Sequence, residues 1–450
     1  MGSESKDKAS PPRATRKRWY LLCLGIIAAC LLAYPSRLPK LTSKVASHCS
    51  YLGPLPASEF HARLSALGET LTALNASAYI AEPGASALYY ANVSSSHWHL
   101  SERPLLLIVD ASARVTVLTP KFEGTRARLL SIPSDVEWVE WAEDEVPYKQ
   151  LPDIEGTVFV DGSIRHFIVD GLRTAFPKAT VVAAPTEIRQ LRERKAEGEL
   201  ELLKCANEAT LLAIRHTHKQ MHIGIRESEA RQLVARALAD AGLKDGGCLT
   251  LFGENAALPH GSGTDRRLGP DDFALFDCTA SLHGYWSDVT RTLALPASTI
   301  PDTHIQIWNF VHSAQHIAFQ TARAGVVAKR VDEAPRLFLG LAGYAKYFTH
   351  RLGHGIGLEV HEDPYLNGGS EIVLQTGHTF SDEPGVYIEG KVGVRLEDCF
   401  YIAQNGSAVY LTAGVGGPAS SPWKPTVAIT YSIYHKGIIN IPTGTDNIST

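Results

Sequence analysis

The chain of 450 residues is short of several things, and each shortage excludes a class of protein. It has only seven cysteines, two of which (Cys23, Cys30) fall in an apolar run, and it has no CxxC pair. That density is far below a disulfide scaffold, and zinc-ribbon or thioredoxin-like sites need the missing spacing. Internal repeats and low-complexity tracts are absent as well. There is no basic surplus: the net charge is −4, and residues 19–450 alone sum to −8 because the first 18 carry +4. A slightly acidic body lacks the basic footprint of a nucleic-acid binder. Apolar runs are short with one exception, which excludes a multi-span membrane chain. The rest is ordinary, with 44% hydrophobic residues, 20% charged residues, and 37 Gly and 25 Pro. This is the composition of a packed globular protein, long enough for two or three domains.

The exception is the uncharged stretch Trp19–Tyr34, which follows a basic tail over 1–18 (Lys6, Lys8, Arg13, Arg16, Lys17, Arg18). As a helix it rises about 24 Å. That is short for a hydrocarbon core of about 30 Å, although flanking residues can snorkel. Trp19 and Tyr20 stand where an interfacial aromatic belt would stand. The A-x-A cleavage pattern is poor, since Leu31 lies two residues before Ala33, so 19–34 reads as a signal-anchor helix. Cleavage would instead give a secreted protein. Myristoylation fails because Lys6 occupies the Ser/Thr position. The positive-inside rule keeps the tail cytosolic and sends the body into a lumen or outside, as in a single-pass type II membrane protein. Four of the nine asparagines (Asn75, Asn92, Asn405, Asn447) begin N-x-[ST] sequons, which fits a glycoprotein.

Residues 35–50 (Pro35, Ser36, Pro39, Ser43) read as a linker. Phe60, Leu64, Leu67 and Leu71 recur at helical spacing. Short apolar runs at Leu105–Val109, Val115–Leu118, Val158–Val160 and Val181–Ala183 are flanked by Pro, Gly or Asp and read as buried strands. Pro185 closes this α/β domain over 51–185. A charged helix is expected from Thr186, with Leu200, Leu203 and Ile214 on one side. A second is expected from Ser228, capped by its hydroxyl, with Glu229 in the first turn and Gly242 as the stop. A third runs from His304 to Ala322. Strand-like segments at Ala274–Cys278, Trp286–Ala294, Thr379–Glu383 and Val394–Ile402 alternate with these helices. They give an α+β domain over 186–450.

Five acidic or imidazole side chains sit in apolar or Gly-rich settings: Asp277, Asp288, His354, Glu383 and Glu397. Singly, each has a plain reading as a turn residue, a cap, a satisfied histidine or, for Glu397, half of a salt bridge with Arg395. Together they do not, because buried carboxylates must be paired or metal-bound. Four in one site would repel each other strongly without a cation. A hairpin through TASLHG would set Asp277 and Asp288 opposite each other. On a strand, Arg395 and Glu397 would face the same way. Glycines 353, 355 and 357 would let backbone approach closely around His354. Four carboxylates and one imidazole make a hard ligand set that suits Mn²⁺ first, with Fe²⁺, Co²⁺ and Zn²⁺ also compatible. Five ligands suffice for two divalent ions about 3.5–4 Å apart, which would share a bridging hydroxide able to hydrolyse an amide.

With their flanks, these residues are similar to a known family. Pro259–Tyr401 resembles the prolidase, Xaa-Pro aminopeptidase and methionine aminopeptidase family, which has the pita-bread fold. The matching stretches are PHGSGTDRRL, FALFDCTASLHGYWSDVTRT, HRLGHGIGLEVHEDP, DEPGVYIEG and GVRLED. All five ligand types occur in family order. Glu59–Tyr148 resembles the creatinase/prolidase N-terminal domain through SERPLLLIVD and EWAEDEVPY.

The resemblance implies that Asp277 chelates one metal, that Asp288 and Glu397 bridge both, and that His354 and Glu383 hold the other. It makes Glu383 a proton shuttle, His260 and His361 catalytic and substrate-binding, and His350 and Arg395 substrate-binding. It implies a dinuclear metallo-aminopeptidase or Xaa-Pro dipeptidase acting on short proline-containing peptides, and a homodimer. The N-terminal domain favours the proline-specific branch over methionine aminopeptidase, which lacks it. The alternatives are a binding protein that has lost catalysis, a metal-independent hydrolase like creatinase, and a hydrolase trimming a peptide-derived small molecule. The intact ligand set disfavours the first two. One departure stands out: Thr279 replaces the usual Gly two residues after the first Asp, and its side chain would narrow the site. Cys278 beside it reads as a small core residue.

Overall fold

The computed structural model describes residues 48–424. The basic tail, the apolar run 19–34, most of the linker 35–50 and Asn447 lie outside the described residues. Among those described, no helix is long and apolar enough to cross a membrane.

The first helix, α1 (Ala57–Ala73), buries Phe60, Leu64, Leu67 and Leu71, as their spacing predicts. It packs on a six-stranded mixed sheet with the order β4-β3-β2-β1-β5-β6. These strands are β1 (Ala76–Ala81), β2 (Leu106–Asp110), β3 (Val115–Pro120), β4 (Val136–Trp141), β5 (Gly156–Val160) and β6 (Ala179–Ala183). The four expected runs are β2, β3, β5 and β6. The sequence reading missed β1, which joins the β4-β3-β2 side to the β5-β6 side, and the edge strand β4. One core gathers Ile80, Leu106, Leu118, Trp141, Val158 and Ile168, the last from helix α2 (His166–Ala175).

The charged helix expected from Thr186 is two helices, α3 (Thr186–Glu193) and α4 (Glu197–His218). The break has a physical cause. The backbone N–H of Lys195 donates to Gly377 O at 2.8 Å, and its ammonium turns inward to Glu362, so neither follows a helical path. Helix α4 restarts with the Glu199 carboxylate accepting from the Ala196 N–H at 2.9 Å. The other Glu199 oxygen accepts from the Tyr285 hydroxyl at 2.8 Å, and Arg63 of α1 lies 3.3 Å from it. This buried triad ties the N-terminal helix to the second half. Helix α5 (Glu227–Asp240) starts one residue before Ser228, and the Ser228 hydroxyl donates to Asp265 instead of capping. The cap is Glu229, whose carboxylate accepts from the Arg226 N–H.

Beyond α5, β7 (Lys244–Phe252), β8 (Ala274–Leu282) and β9 (Tyr285–Leu293) form a three-stranded antiparallel sheet. Helix α6 (Asp302–Thr321) matches the expected third helix. Helix α7 (Ala328–Leu341) was not anticipated, because Pro335 lies inside it. Then come β10 (Gly353–Gly355), β11 (Glu362–Leu366), β12 (Thr379–Asp382), the hairpin β13–β14 (Gly385–Ile388, Val392–Arg395), β15 (Asp398–Ile402) and β16 (Ala408–Tyr410). Five of these make a sheet with the order β11-β10-β12-β15-β16. The expected strand Val394–Ile402 is therefore two strands, with Leu396 and Glu397 at the break. Leu396 and Phe400 still enter the large core, together with Trp308, Val311 and Phe380.

Among the described residues there are two disulfides. Cys49–Cys205 fastens the segment before α1 to α4, and Cys248–Cys278 crosses from β7 to β8. Cys278 is thus buried as expected but is bonded rather than a plain core residue. Cys399 is buried and free.

Candidate metal centre

The site forms on one face of the β7-β8-β9 sheet, closed by the loop after β10 and by the ends of β12 and β14. Side chains at opposed positions of an antiparallel pair share a face. The register pairs Asp277 with Thr290 and Thr279 with Asp288. The two aspartates are therefore diagonal neighbours on that face, not opposite each other as the turn alone suggested. Thr279 is the residue opposite Asp288, so the departure from the family pattern lies on the floor of the site.

The ligand-capable atoms fall into overlapping groups, each with its atoms within 4.8 Å of one another. One contains Asp277, Asp288 and Glu397; a second contains His354, Glu383 and Glu397; a third contains Asp288, His354 and His361. His354 Nε2 lies 3.3 Å from Glu383 and 3.6 Å from Asp288. All five residues singled out from the sequence meet, although they come from five separate segments. Arg395 and Glu397 reach the site as well, from the end of β14 and from the break beyond it rather than from one strand.

Close backbone approach positions His354. A Cβ at Gly353 would lie 2.0 Å from Ser381 O, and one at Gly355 would lie 2.5 Å from Glu362 O. A side chain at either position would push β10 away from its neighbours. The His354 N–H donates to the Ser381 hydroxyl at 3.1 Å, and Nδ1 lies 3.0 Å from Gly355 O, which leaves Nε2 facing the carboxylates.

The electrostatics follow from burial. Burial first, then the charges of Glu397, Asp277 and Glu383, pushes the Asp288 carboxyl well up. Glu397 is raised in the same way, and Glu383 is pushed up to about 7. Burial holds His354 low and takes His361 down to about 4, with repulsion from His354 adding to the latter, so both imidazoles are neutral. Asp288 Oδ1 and Glu397 Oε1 are buried with no hydrogen-bond partner among the described residues. Neutral imidazole and two orphaned carboxylate oxygens among crowded carboxyls are a donor set made for cations. The residues fit a divalent pair, and Glu397 is common to two of the three ligand-capable groups.

Around the centre, His361 stacks edge-on against His354 with ring centroids 4.1 Å apart. His260 is exposed at the edge of the site. Arg395 binds Asp277 at 2.7 Å and the Tyr387 hydroxyl at 2.9 Å; that same hydroxyl lies 2.8 Å from His350 Nε2. Burial takes His350 to about 4. Sequence reasoning missed Tyr387 and also Thr290, whose hydroxyl donates to Glu397 at 2.7 Å. Thr290 had a signal, since it stands two residues from Asp288 on a strand and so shares its face. Tyr387 stood within the matched stretch DEPGVYIEG, but nothing in the sequence says which polar partners it reaches.

A fold of this topology carrying this ligand set defines a class of metal-dependent peptidases, and the sequence comparisons agree. Residues 201–404 match the model of metallopeptidase family M24, and residues 63–194 match that of the creatinase/prolidase N-terminal domain. The chain belongs to metallopeptidase family M24. It is 34% identical over 439 residues to an uncharacterized peptidase of Schizosaccharomyces pombe, covering 91% of this chain and 96% of that one. The solved dipeptidase PepE of Mycobacterium ulcerans superposes with a TM-score of 0.72 at 28% identity, covering 80% of this chain and 97% of that one. The prolidase of Pyrococcus horikoshii superposes with a TM-score of 0.70 at 26% identity, over 78% and 98%. The chain is a hydrolase with the pita-bread catalytic fold behind a creatinase-like N-terminal module.

Proposed function

We propose that this protein is a metal-dependent exopeptidase that hydrolyses the bond between an N-terminal residue and proline, in Xaa-Pro dipeptides or short Xaa-Pro peptides. The observation that carries the reading is the pair of ligand groups sharing Glu397, walled by His361, His350 and Arg395. Asp277, Asp288, Glu397, His354 and Glu383 would hold two divalent ions, Mn²⁺ being the best match to the hard donors. Bound there, the ions supply Lewis acidity toward water and toward the scissile carbonyl. Burial raises the pKa of the Glu383 carboxyl, which suits a group that takes a proton from water and passes it to the leaving nitrogen. The scissile nitrogen, proline's included, needs that proton to depart as an amine. His361, neutral at pH 7, offers an N–H to the oxygen where negative charge develops. His350, Tyr387 and Arg395 form one hydrogen-bonded wall that orients the substrate, and His260 contributes from the rim.

The body is proposed to reside in a secretory compartment, anchored through 19–34. Two disulfides support this, since such bonds persist in oxidising compartments.

The test is hydrolysis of Gly-Pro, Xaa-Pro-Xaa and proline-free peptides by the full chain, with Mn²⁺ and with chelator. Cleavage is expected on the proline peptides alone, lost with chelator, and reduced ~10³-fold or more in Asp288→Asn. Undiminished turnover in the chelated protein or in that variant refutes the reading.

A further inference from the structure

Three cations at three-residue spacing on and just beyond α3 (Arg189, Arg192, Lys195) meet three carboxylates on the loop that carries His361 and on the start of β11 that follows it. Arg189 reaches Asp363 at 3.1 Å, Arg192 pairs with Glu359 and lies 3.7 Å from Glu362, and Lys195 binds Glu362 at 2.7 Å. The innermost pair is sealed: the side chains of Lys195 and Glu362 are each 2% exposed. Lys195 also donates to the carbonyls of Arg192 and Glu193 at 2.8 and 3.0 Å, closing the end of α3. The pair lies directly against Gly357, where a Cβ would be 2.5 Å from Glu362 Oε1 and 2.7 Å from Lys195 Cε. Gly357 stands three residues after His354, and Glu362 follows His361. One buried ion pair therefore props both ends of the loop that presents the two imidazoles.

We propose that Lys195 and Glu362 are positioning residues for His361, and that α3, at the end of the N-terminal module, thereby sets the geometry of the catalytic loop. This rests on the exopeptidase reading for its activity readout. Neither side chain is among the ligand-capable groups of the centre, so the pair acts through the loop. Its loss would free His361 without removing a metal ligand. Glu362 is kept ionised although burial opposes it, because Lys195 and Arg192 outweigh that penalty. An ion pair of this kind is costly to leave half-made.

The test compares the full wild-type chain with Lys195→Met, Glu362→Gln and the double variant. Loss of an outer group that orients a reacting one costs about 10–100-fold in rate. Each single variant is expected to lose that much in kcat, with KM within about threefold, because the lost contact matters in the transition state. The double variant is expected to be no worse than the poorer single one. Bound metal per chain stays at the wild-type level, and hydrogen exchange rises across 357–363. Unchanged kcat in both folded single variants, or a loss that tracks lost metal, overturns the proposal. If Lys195→Met does not fold, Arg192→Gln and Arg189→Ala decide it: raised exchange over 357–363 with lowered kcat supports, and wild-type behaviour overturns. If the wild type cleaves no peptide, the functional reading fails by itself. Exchange over 357–363 in Lys195→Met then judges the clamp, an increase supporting it and no change overturning it.

Discussion

At Asp288, burial and charge act together against ionisation, and the same holds for Glu397. A fold retains such residues where a cation restores the balance. This explains why five residues of modest individual meaning were legible in the sequence as a set. Their partners were not. Tyr387 matters because of where β13 lies relative to β14, and Glu362 because Lys195 arrives from 167 positions away. Residue-scale electrostatics also yields a pH prediction outside the centre. The Glu193 carboxyl is pushed up to about 7, by burial first and then by Asp363. Its folded pKa exceeds the unfolded value of about 4.3–4.5, so its contribution to stability is complete below that range and is lost as pH rises through about 7. Glu193→Gln removes this dependence. Relative to wild type, the variant should gain roughly 1–3 kcal/mol between pH 5 and pH 8 in urea unfolding. An equal difference at both pH values would show that Glu193 does not titrate abnormally.

Among the elements, those with a clean period were readable: α1, α6 and the apolar strands of the two halves. The failures share a cause. Strand β1 has the sequence ASAYIA, too small and too mixed to stand out, and its burial comes from flanking strands β2 and β5. Helix α7 contains Pro335, which locally argues against a helix and is overridden by packing of Val331 and Leu339 in the core. The segment from Arg395 to Asp398 changes sheets, which no two-residue period reveals. The disulfides belong to this scale as well. Cys49–Cys205 closes 156 residues and fixes the segment before α1 to α4. The variant Cys49→Ser/Cys205→Ser should lose about 3–5 kcal/mol of unfolding free energy, mostly by enlarging the unfolded ensemble, while its kcat stays close to wild type. Stability within about 0.5 kcal/mol of wild type by denaturant titration would show that the bond does not form or does not constrain the chain.

At the scale of the whole molecule, the proposed anchor over 19–34 would put the body on the lumenal or outer side, and the sequons offer a test of that proposal. Asn75 and Asn405 are exposed and Asn92 is half-buried, its amide bonded to Ser131 O at 3.0 Å. Asn75 and Asn92 sit at backbone angles of φ 52° and 57°, which asparagine tolerates well. Expressed in a secretory cell, the full chain is expected to migrate faster after removal of N-glycans, with a smaller step in Asn75→Gln/Asn405→Gln. Unchanged mobility would place the body on the cytosolic side and count against the anchor orientation.

The sequence by itself determined the inventory: the hard ligands in order, the glycines that admit close backbone, and the apolar stretches that build both halves. These are local properties, carried by residue type and short spacing. The tertiary structure alone decided that the two aspartates lie diagonally, that Thr279 faces Asp288, and that Lys195 breaks a helix to grip the loop beside His361. Those facts depend on strand register and on contacts between segments more than a hundred residues apart. Such contacts are set by how the complete core packs, and no single window of sequence encodes them.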